Sequence, residues 1–358
     1  MKKRISILLS VVSVLTIASC KSQTEVLQPD LSNQTEIQAA KKFKAPNPNW
    51  FDSLKPELQS YYAPAKGKTG SDLFKALHEI IKSPRVKDYK TAKSFMYGTL
   101  DNTKVNNQSG VFDRYSYQFI SGSGGNGNSY TEKGDQNQDG KGGDFINCEH
   151  TWPQSMFEKN PPMVSDLHHL FPTASVPNEM RGHFPIGNAK GIVAYTTNGG
   201  SKLGLIDKTG KNRQIDEIKK LLSLPHEQKA DILENEFEIS FEPLDKQKGN
   251  TARGLLYVNL AHFDKGINKG SFNKDYFWNP NVAAYIDWSE NKDVVDADEM
   301  KRNDDIQKYQ GNRNPFVDIP GLASTIGEEA MKFAGANKNS VSSGIAKKLT
   351  KIDMDWAD

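Results

Sequence analysis

Asn147-Cys148-Glu149-His150-Thr151-Trp152-Pro153-Gln154-Ser155 is the stretch on which the reading of this chain turns. It follows a short apolar pair, Phe145-Ile146, and sets a carboxylate beside an imidazole where that pair ends. Downstream come Ser165-Asp166-Leu167-His168-His169-Leu170-Phe171-Pro172 and then Ser175-Val176-Pro177-Asn178-Glu179-Met180-Arg181. Four of the seven histidines (His150, His168, His169, His183) thus fall between positions 150 and 183. Taken alone, Glu149-His150 reads as an exposed strand end, and Asn178, just after Pro177, as a helix cap. Their crowding points instead to chemistry.

Hydrolysis of a phosphodiester needs a base for water, a divalent cation on the phosphoryl oxygens and help for the leaving oxygen. A hard cation such as Mg²⁺ takes a few oxygen ligands and keeps several waters. Glu149 and Asn178 can supply such oxygens, with His150 beside them as the base, and the same hard donors suit Mn²⁺. A zinc site would want more nitrogen or sulfur, and no HExxH pattern is present. His168, His169 and Asp166 read as structural, and Trp152 and Phe157 as core, although an aromatic in a groove can stack on a base.

The flanks mix helix and strand. Leu73, Leu77, Ile80 and Ile81 recur at helical spacing behind a candidate cap, Ser71, with His78 on the flank of the stripe. Residues 113–120 (FDRYSYQF) alternate aromatic and polar, which predicts a strand. Residues 121–144 are crowded with Gly, Asn, Ser and Asp, as in a surface loop. Within that loop Asp135-x-Asn137-x-Asp139-Gly140 matches the opening of a Ca²⁺ loop, but Ile146 stands at the twelfth position, where a Glu is required. A solvated loop is the alternative there. Residues 212–235 read as charged helix and 251–261 as a more buried one; after 320 only a short helix near Glu328 to Phe333 is expected. Strands and helices do not alternate regularly, which predicts an α+β fold.

The chain has 358 residues, 36% of them hydrophobic, which excludes both wholesale disorder and a polytopic membrane protein. Two cysteines exclude a disulfide scaffold. The charge, 46 basic against 44 acidic groups, excludes a histone-like polycation, so any nucleic acid must meet a local basic groove. Lys2, Lys3 and Arg4 precede an apolar run, Ile5 to Ile17, and then Ala18-Ser19-Cys20. This resembles a bacterial lipoprotein signal, with Cys20 as the lipidation site; an ordinary cleaved signal is the alternative. Loss of residues 1–19 would remove three of the 46 basic groups and leave 43 against 44 acidic ones, a net charge of −1. Lys21 is not the aspartate that favours retention at an inner membrane, so the expectation is an exported chain tethered by its lipid to the outer membrane or cell surface. Expected boundaries are a leader at 1–19, a polar linker at 20–45, a catalytic domain at 46–320 and a partly helical tail at 321–358.

The stretch from Asn147 to Ser155 closely resembles the central motif of the endonuclease I family, exported nonspecific nucleases with a ββα-metal (His-Me) finger. The likeness continues through Ser165 to Pro172 and Asn178-x-x-Arg181-Gly182. Phe241-Glu242-Pro243, Lys248-Gly249, Ala252-Arg253, Arg302-Asn303-x-x-Ile306 and Asn312-Arg313-Asn314-Pro315-Phe316-Val317-Asp318 extend it. It spans roughly residues 60–320. The resemblance implies an endonuclease I-like fold, with His150 as general base, Glu149 and Asn178 as the protein ligands of one Mg²⁺ (or Mn²⁺) and Asn178 on the helix of the finger. It implies metal-dependent cleavage of nucleic acid, with DNA the first candidate substrate and RNA a second; a monomer is expected. Some branches of the family carry an arginine after the Glu-His pair as a phosphate contact; here residues 151–165 offer only Lys159. Arg181 has two readings, a phosphate contact or an internal ion pair. Glu242, Arg253, Arg313 and Asp318 read as buried pairs that brace the scaffold. A zinc-dependent hydrolase and an inactive surface lipoprotein that only binds nucleic acid are the alternatives to a metal-dependent nuclease.

Overall fold

The computed structural model of the protein describes residues 46–123, 130 and 146–334. The leader, Cys20 with its linker, the calcium-loop residues Asp135, Asn137 and Asp139, and the end of the chain lie outside the described residues.

Among the described residues, eight short strands form small antiparallel sheets. The first sheet joins β1 (Thr103–Val105), β2 (Gln108–Phe112) and β3 (Phe119–Ser121), and the second pairs β4 (Asn147–His150) with β5 (Leu170–Thr173). The third orders β6 (Ile192–Thr196), β7 (Lys202–Asp207) and β8 (Phe237–Glu242). Before β4 run α1 (Pro56–Tyr62), α2 (Gly70–Ile81) and α3 (Tyr89–Phe95); α4 (Ser175–Arg181) follows β5. Between β7 and β8 lie α5 (Ile215–Leu222) and α6 (His226–Glu236). After β8 come α7 (Asp245–His262), α8 (Val282–Asp287), α9 (Ala297–Gln310), α10 (Pro315–Asp318), α11 (Leu322–Ile326) and α12 (Glu328–Met331). Helices and small antiparallel sheets, interspersed without a regular βαβ alternation, make an α+β fold, as the irregular order of elements predicts.

The 18-residue α7 is the axis of the largest apolar cluster, and from Thr251 to His262 every residue is buried. A helix covered on all sides belongs in the middle of a fold. Around it pack Leu73, Leu77 and Ile81 of α2, together with Trp152, Phe157 and Trp278. Trp152 and Phe157 are therefore core, as expected. The segment after residue 320 contributes too: Leu322, Ala323, Ile326 and Met331 lie in this same cluster. A second cluster lies beneath the third sheet, under α5 and α6, and a third gathers Met96, Tyr97, Val111, Ile146, Leu170 and Ile306 among others. The β4 strand sits where all three meet. Ile146 precedes it in the third cluster, Trp152 follows it in the first, and Tyr115 of the second reaches its Glu149.

Several local expectations need correction. Residues 113–118 are not strand but the turn between β2 and β3. The Asp113 carboxylate accepts from the amides of Tyr115 (3.2 Å) and Ser116 (2.7 Å), and Tyr117 adopts a left-handed φ of 56°. The aromatic alternation has another cause: Tyr115 enters the second cluster, while Tyr117 stacks on Phe112 at 4.8 Å. Ser71 does not cap α2, which starts at Gly70 with Thr69 in the capping position and no side-chain cap bond. His78 is buried, its Nδ1 lying 2.8 Å from the Leu260 carbonyl. The charged helix over 212–235 is two, broken by Ser223-Leu224-Pro225, because Pro225 cannot supply the amide a continuous helix needs. The helix over 251–261 starts earlier, at Asp245.

The bracing pairs form, Arg313 with the expected Asp318 and the other two with partners that the sequence did not pair with them. Arg313 binds Asp318 (2.6 Å), Arg253 binds Glu299 (2.5 Å) and Glu242 binds Lys248 (2.7 Å).

Candidate active site

Glu149 and His150 close β4, opposite Phe171 and Leu170 of β5, and only Ala174 separates the end of β5 from the start of α4. Pro172 sits in β5 without disturbing the sheet, since β5 has one strand neighbour and needs no amide there. Its carbonyl accepts from the Arg114 amide at 2.9 Å.

Glu149 is 1% exposed. Its Oε1 accepts from the Tyr115 hydroxyl at 2.7 Å, and Arg181 Nη1 stands 3.5 Å from the same oxygen. Among the described residues Oε2 takes no hydrogen bond. Burial pushes the carboxyl above its usual range, opposed by the Arg181 charge and the Tyr115 hydrogen bond. A buried carboxylate with one oxygen committed and the other free is a ready-made monodentate ligand for a hard cation.

His150 is held from one side. Its Nε2 lies 3.0 Å from the Val164 carbonyl, which can only accept, so Nε2 carries the proton and Nδ1 the lone pair. Nδ1 is buried and, among the described residues, has no partner. Burial above all, and then the neighbouring His169, hold the imidazole well below the usual histidine range, so it is neutral at pH 7 and able to accept a proton. His169 is tied in the same way, Nε2 to the Met163 carbonyl at 2.6 Å, so the turn Met163–Ser165 fixes two imidazoles. The adjacent Glu149 distinguishes His150 from its neighbour.

Asn178 lies on α4, 6% exposed, one turn before Arg181 and so on the same helix face. Arg181 fixes where that face points. Its guanidinium donates to the carbonyls of His150 (3.3 Å), Thr151 (2.6 Å) and Gly182 (2.9 Å), besides approaching Glu149. It is 2% exposed. Of the two readings for Arg181, these contacts match the internal ion pair: its two Nη groups tie α4 to the end of β4, while its Nε is buried with no partner among the described residues. Among the described residues no three His, Cys, Asp or Glu side chains converge as a metal site.

A different arginine lies close by. The Arg114 guanidinium is stacked 3.3 Å above the centre of the Phe171 ring and donates to Gln247 Oε1. Among the described residues it has no carboxylate within ion-pair distance. Burial first, then the charge of Arg302, lower it to about 10. Beneath the site, Asp166 ties the histidine pair to the rest of the fold. Its carboxylate accepts from Tyr257 (2.7 Å), His262 (2.9 Å), Gln310 (2.7 Å) and the His168 amide (3.2 Å). His168 Nε2 reaches the Asn312 carbonyl at 3.2 Å. Asp166, His168 and His169 are thus structural, as expected.

The family model of endonuclease I matches residues 69–221 and 223–321. The chain belongs to the endonuclease I family. It is a nuclease, an enzyme that hydrolyses nucleic-acid phosphodiester bonds. It is 27% identical over 279 residues to an extracellular ribonuclease of Bacillus subtilis (strain 168), covering 75% of this chain and 79% of the relative. It is 26% identical over 281 residues to an extracellular ribonuclease of Bacillus amyloliquefaciens, covering 75% and 78%.

For this endonuclease I family member, sequence reasoning brought Glu149, His150 and Arg181 to one place but missed Tyr115, Val164 and Arg114. Tyr115 carried a usable signal: Asp113-x-x-Ser116 has the residues of an Asx turn, which argues against a continuous strand. Val164 acts through its carbonyl, and no side chain announces that.

Proposed function

We propose that the protein is a metal-dependent, nonspecific endonuclease that cuts the backbone of DNA, and of RNA as well, leaving 5′-phosphate and 3′-hydroxyl ends. One observation carries this reading: in a chain of this family, the free lone pair of the buried His150 stands beside a buried carboxylate with one oxygen uncommitted. In this reading β4, β5 and α4 are the two strands and helix of a ββα-metal finger. Glu149 Oε2 and the Asn178 carbonyl would hold a Mg²⁺ or Mn²⁺ ion, a hard-oxygen set that fits such an ion and suits a closed zinc site poorly. When bound, that ion supplies charge stabilisation for the phosphoryl and leaving oxygens.

His150 Nδ1 takes the proton from the attacking water, while Val164 fixes the tautomer. Arg181 keeps Glu149 and the end of β4 in register with α4, and Arg114, on the Phe171 ring opposite Glu149, supplies the cation for a backbone phosphate. Two extracellular relatives and the lipoprotein-like leader support an exported chain, anchored through Cys20 to the cell envelope and monomeric. A Ca²⁺ ion at Asp135, Asn137 and Asp139 is a further proposal on sequence grounds. The test is nicking of a supercoiled plasmid with and without EDTA, followed by end-labelling. Cleavage that stops in EDTA and leaves 3′-hydroxyl ends supports the reading; full activity in excess chelator, or 3′-phosphate products, overturns it.

A further inference from the structure

Glu149 is useful as a cation ligand only if its carboxylate is pinned, because a free glutamate loses side-chain entropy on binding. The pin is a buried tyrosine. Tyr115 is fully buried, its ring edge-on to Phe241 with centroids 4.6 Å apart, and its hydroxyl meets Glu149 Oε1 at 2.7 Å. Its backbone is clamped as well: the Tyr115 carbonyl accepts from Thr197 Oγ1 (2.9 Å) and Ser201 Oγ (2.6 Å), beside the third sheet. The turn that carries it depends on Asp113, whose Oδ1 also accepts from Thr173 Oγ1 (2.9 Å) and the Ala174 amide (2.8 Å). Ala174 occupies the capping position of α4 and has no capping side chain of its own; Asp113, from another part of the chain, accepts from the Ala174 amide at the head of that helix. One carboxylate therefore couples the residue that pins Glu149 to the start of the helix that carries Asn178.

We propose that Tyr115, braced by Asp113, is a positioning residue: it commits Glu149 Oε1 and thereby presents Oε2 to a divalent cation. The inference rests on the reading of Glu149 as a ligand. Groups that orient a ligand in this way typically contribute 10–100-fold in metal affinity. Tyr115→Phe keeps the ring in its cluster and removes only the hydroxyl.

Mn²⁺ binding to the full chain, without nucleic acid, is measured by the loss of the free-ion paramagnetic resonance signal for wild type, Tyr115→Phe and Glu149→Gln. The expected result is a Kd weakened roughly 10–100-fold in Tyr115→Phe at near-wild-type thermal stability. Cleavage by that variant recovers as Mn²⁺ is raised, while its KM for DNA is unchanged. If Glu149→Gln binds Mn²⁺ as wild type does, the ligand reading itself fails. If Glu149→Gln loses binding and Tyr115→Phe does not, only the positioning role fails. Should Tyr115→Phe melt below the assay temperature, Asp113→Asn takes its place, since it keeps the hydroxyl and loosens the turn; weakened Mn²⁺ binding supports the proposal, and wild-type affinity overturns it.

Discussion

His150 is fixed by one hydrogen bond, Nε2 to the Val164 carbonyl, and that bond decides which nitrogen is free to act. A positioned base typically contributes 10²–10⁴-fold, so His150→Ala is expected to lose plasmid nicking by that order with its melting temperature little changed. Wild-type nicking by the variant would end the assignment of His150 as base. Arg114 can be tested without catalysis. In the reading above it neutralises one phosphate, so in EDTA the plot of log K against log salt for duplex binding should be shallower by about 1 in Arg114→Gln. An unchanged slope would return Arg114 to a packing role on Phe171.

Elements impose constraints that single residues conceal. In an open helix Gly→Ala gains about 1 kcal/mol, since Ala is the better helix former. Gly249 in α7 reverses that sign, because a Cβ there would stand 1.8 Å from the Asp293 carbonyl oxygen and 2.8 Å from the Arg253 guanidinium. Those contacts are close because Arg253 donates to the Ser289 and Asp293 carbonyls, drawing the 288–293 segment against α7. Gly249→Ala is therefore expected to destabilise, by more than about 1 kcal/mol in denaturant melts, as overpacking does. A stabilised variant would mean that the two segments separate freely. The same logic explains the hairpin turn at 113–118: Asp113 spends its carboxylate on amides of the turn and on α4, and no such bonds would form along a strand.

For the whole molecule, the buried Asp166 is one point of acid sensitivity. Burial alone would raise its carboxyl, but the hydrogen bond and charge of His262, with His168 and His169, outweigh that and hold it well below the usual carboxylate range. A group depressed in the folded state binds its proton more readily once unfolded. Its stabilisation is complete above the unfolded value of about 3.9 and drains away as the pH falls below it. Removing one partner of a buried pair typically costs 3–5 kcal/mol, so Asp166→Asn should be less stable at neutral pH by that order and lose less on acidification. Parallel acid limbs for the two proteins in urea melts would exclude this role. At the scale of the cell, Cys20→Ser is expected to move the protein from the membrane pellet to the soluble fraction; a variant that still pelleted would count against the anchor.

What the sequence determined by itself was the family motif within one contiguous stretch and the class of fold. Glu149 and His150 are neighbours in the chain, the 3.6-residue period exposed α2, and the irregular order of elements indicated α+β. Those signals are local, so a linear reading catches them. The partners of the site are not local. Tyr115 lies 34 positions from Glu149 and Val164 14 from His150, while Arg181 reaches β4 from α4, 31 positions after His150. The sequence left Arg181 with two readings, and only the folded chain shows it buried against the end of β4 with its Nη groups on the His150 and Thr151 carbonyls and Glu149. It also suggested a strand where Tyr115 sits, because alternating aromatics look alike whether they line a pleat or divide between two packing environments. Only the closure of three apolar clusters around β4 brings these groups together, since burial leaves each polar atom to find its partner in space and not along the chain.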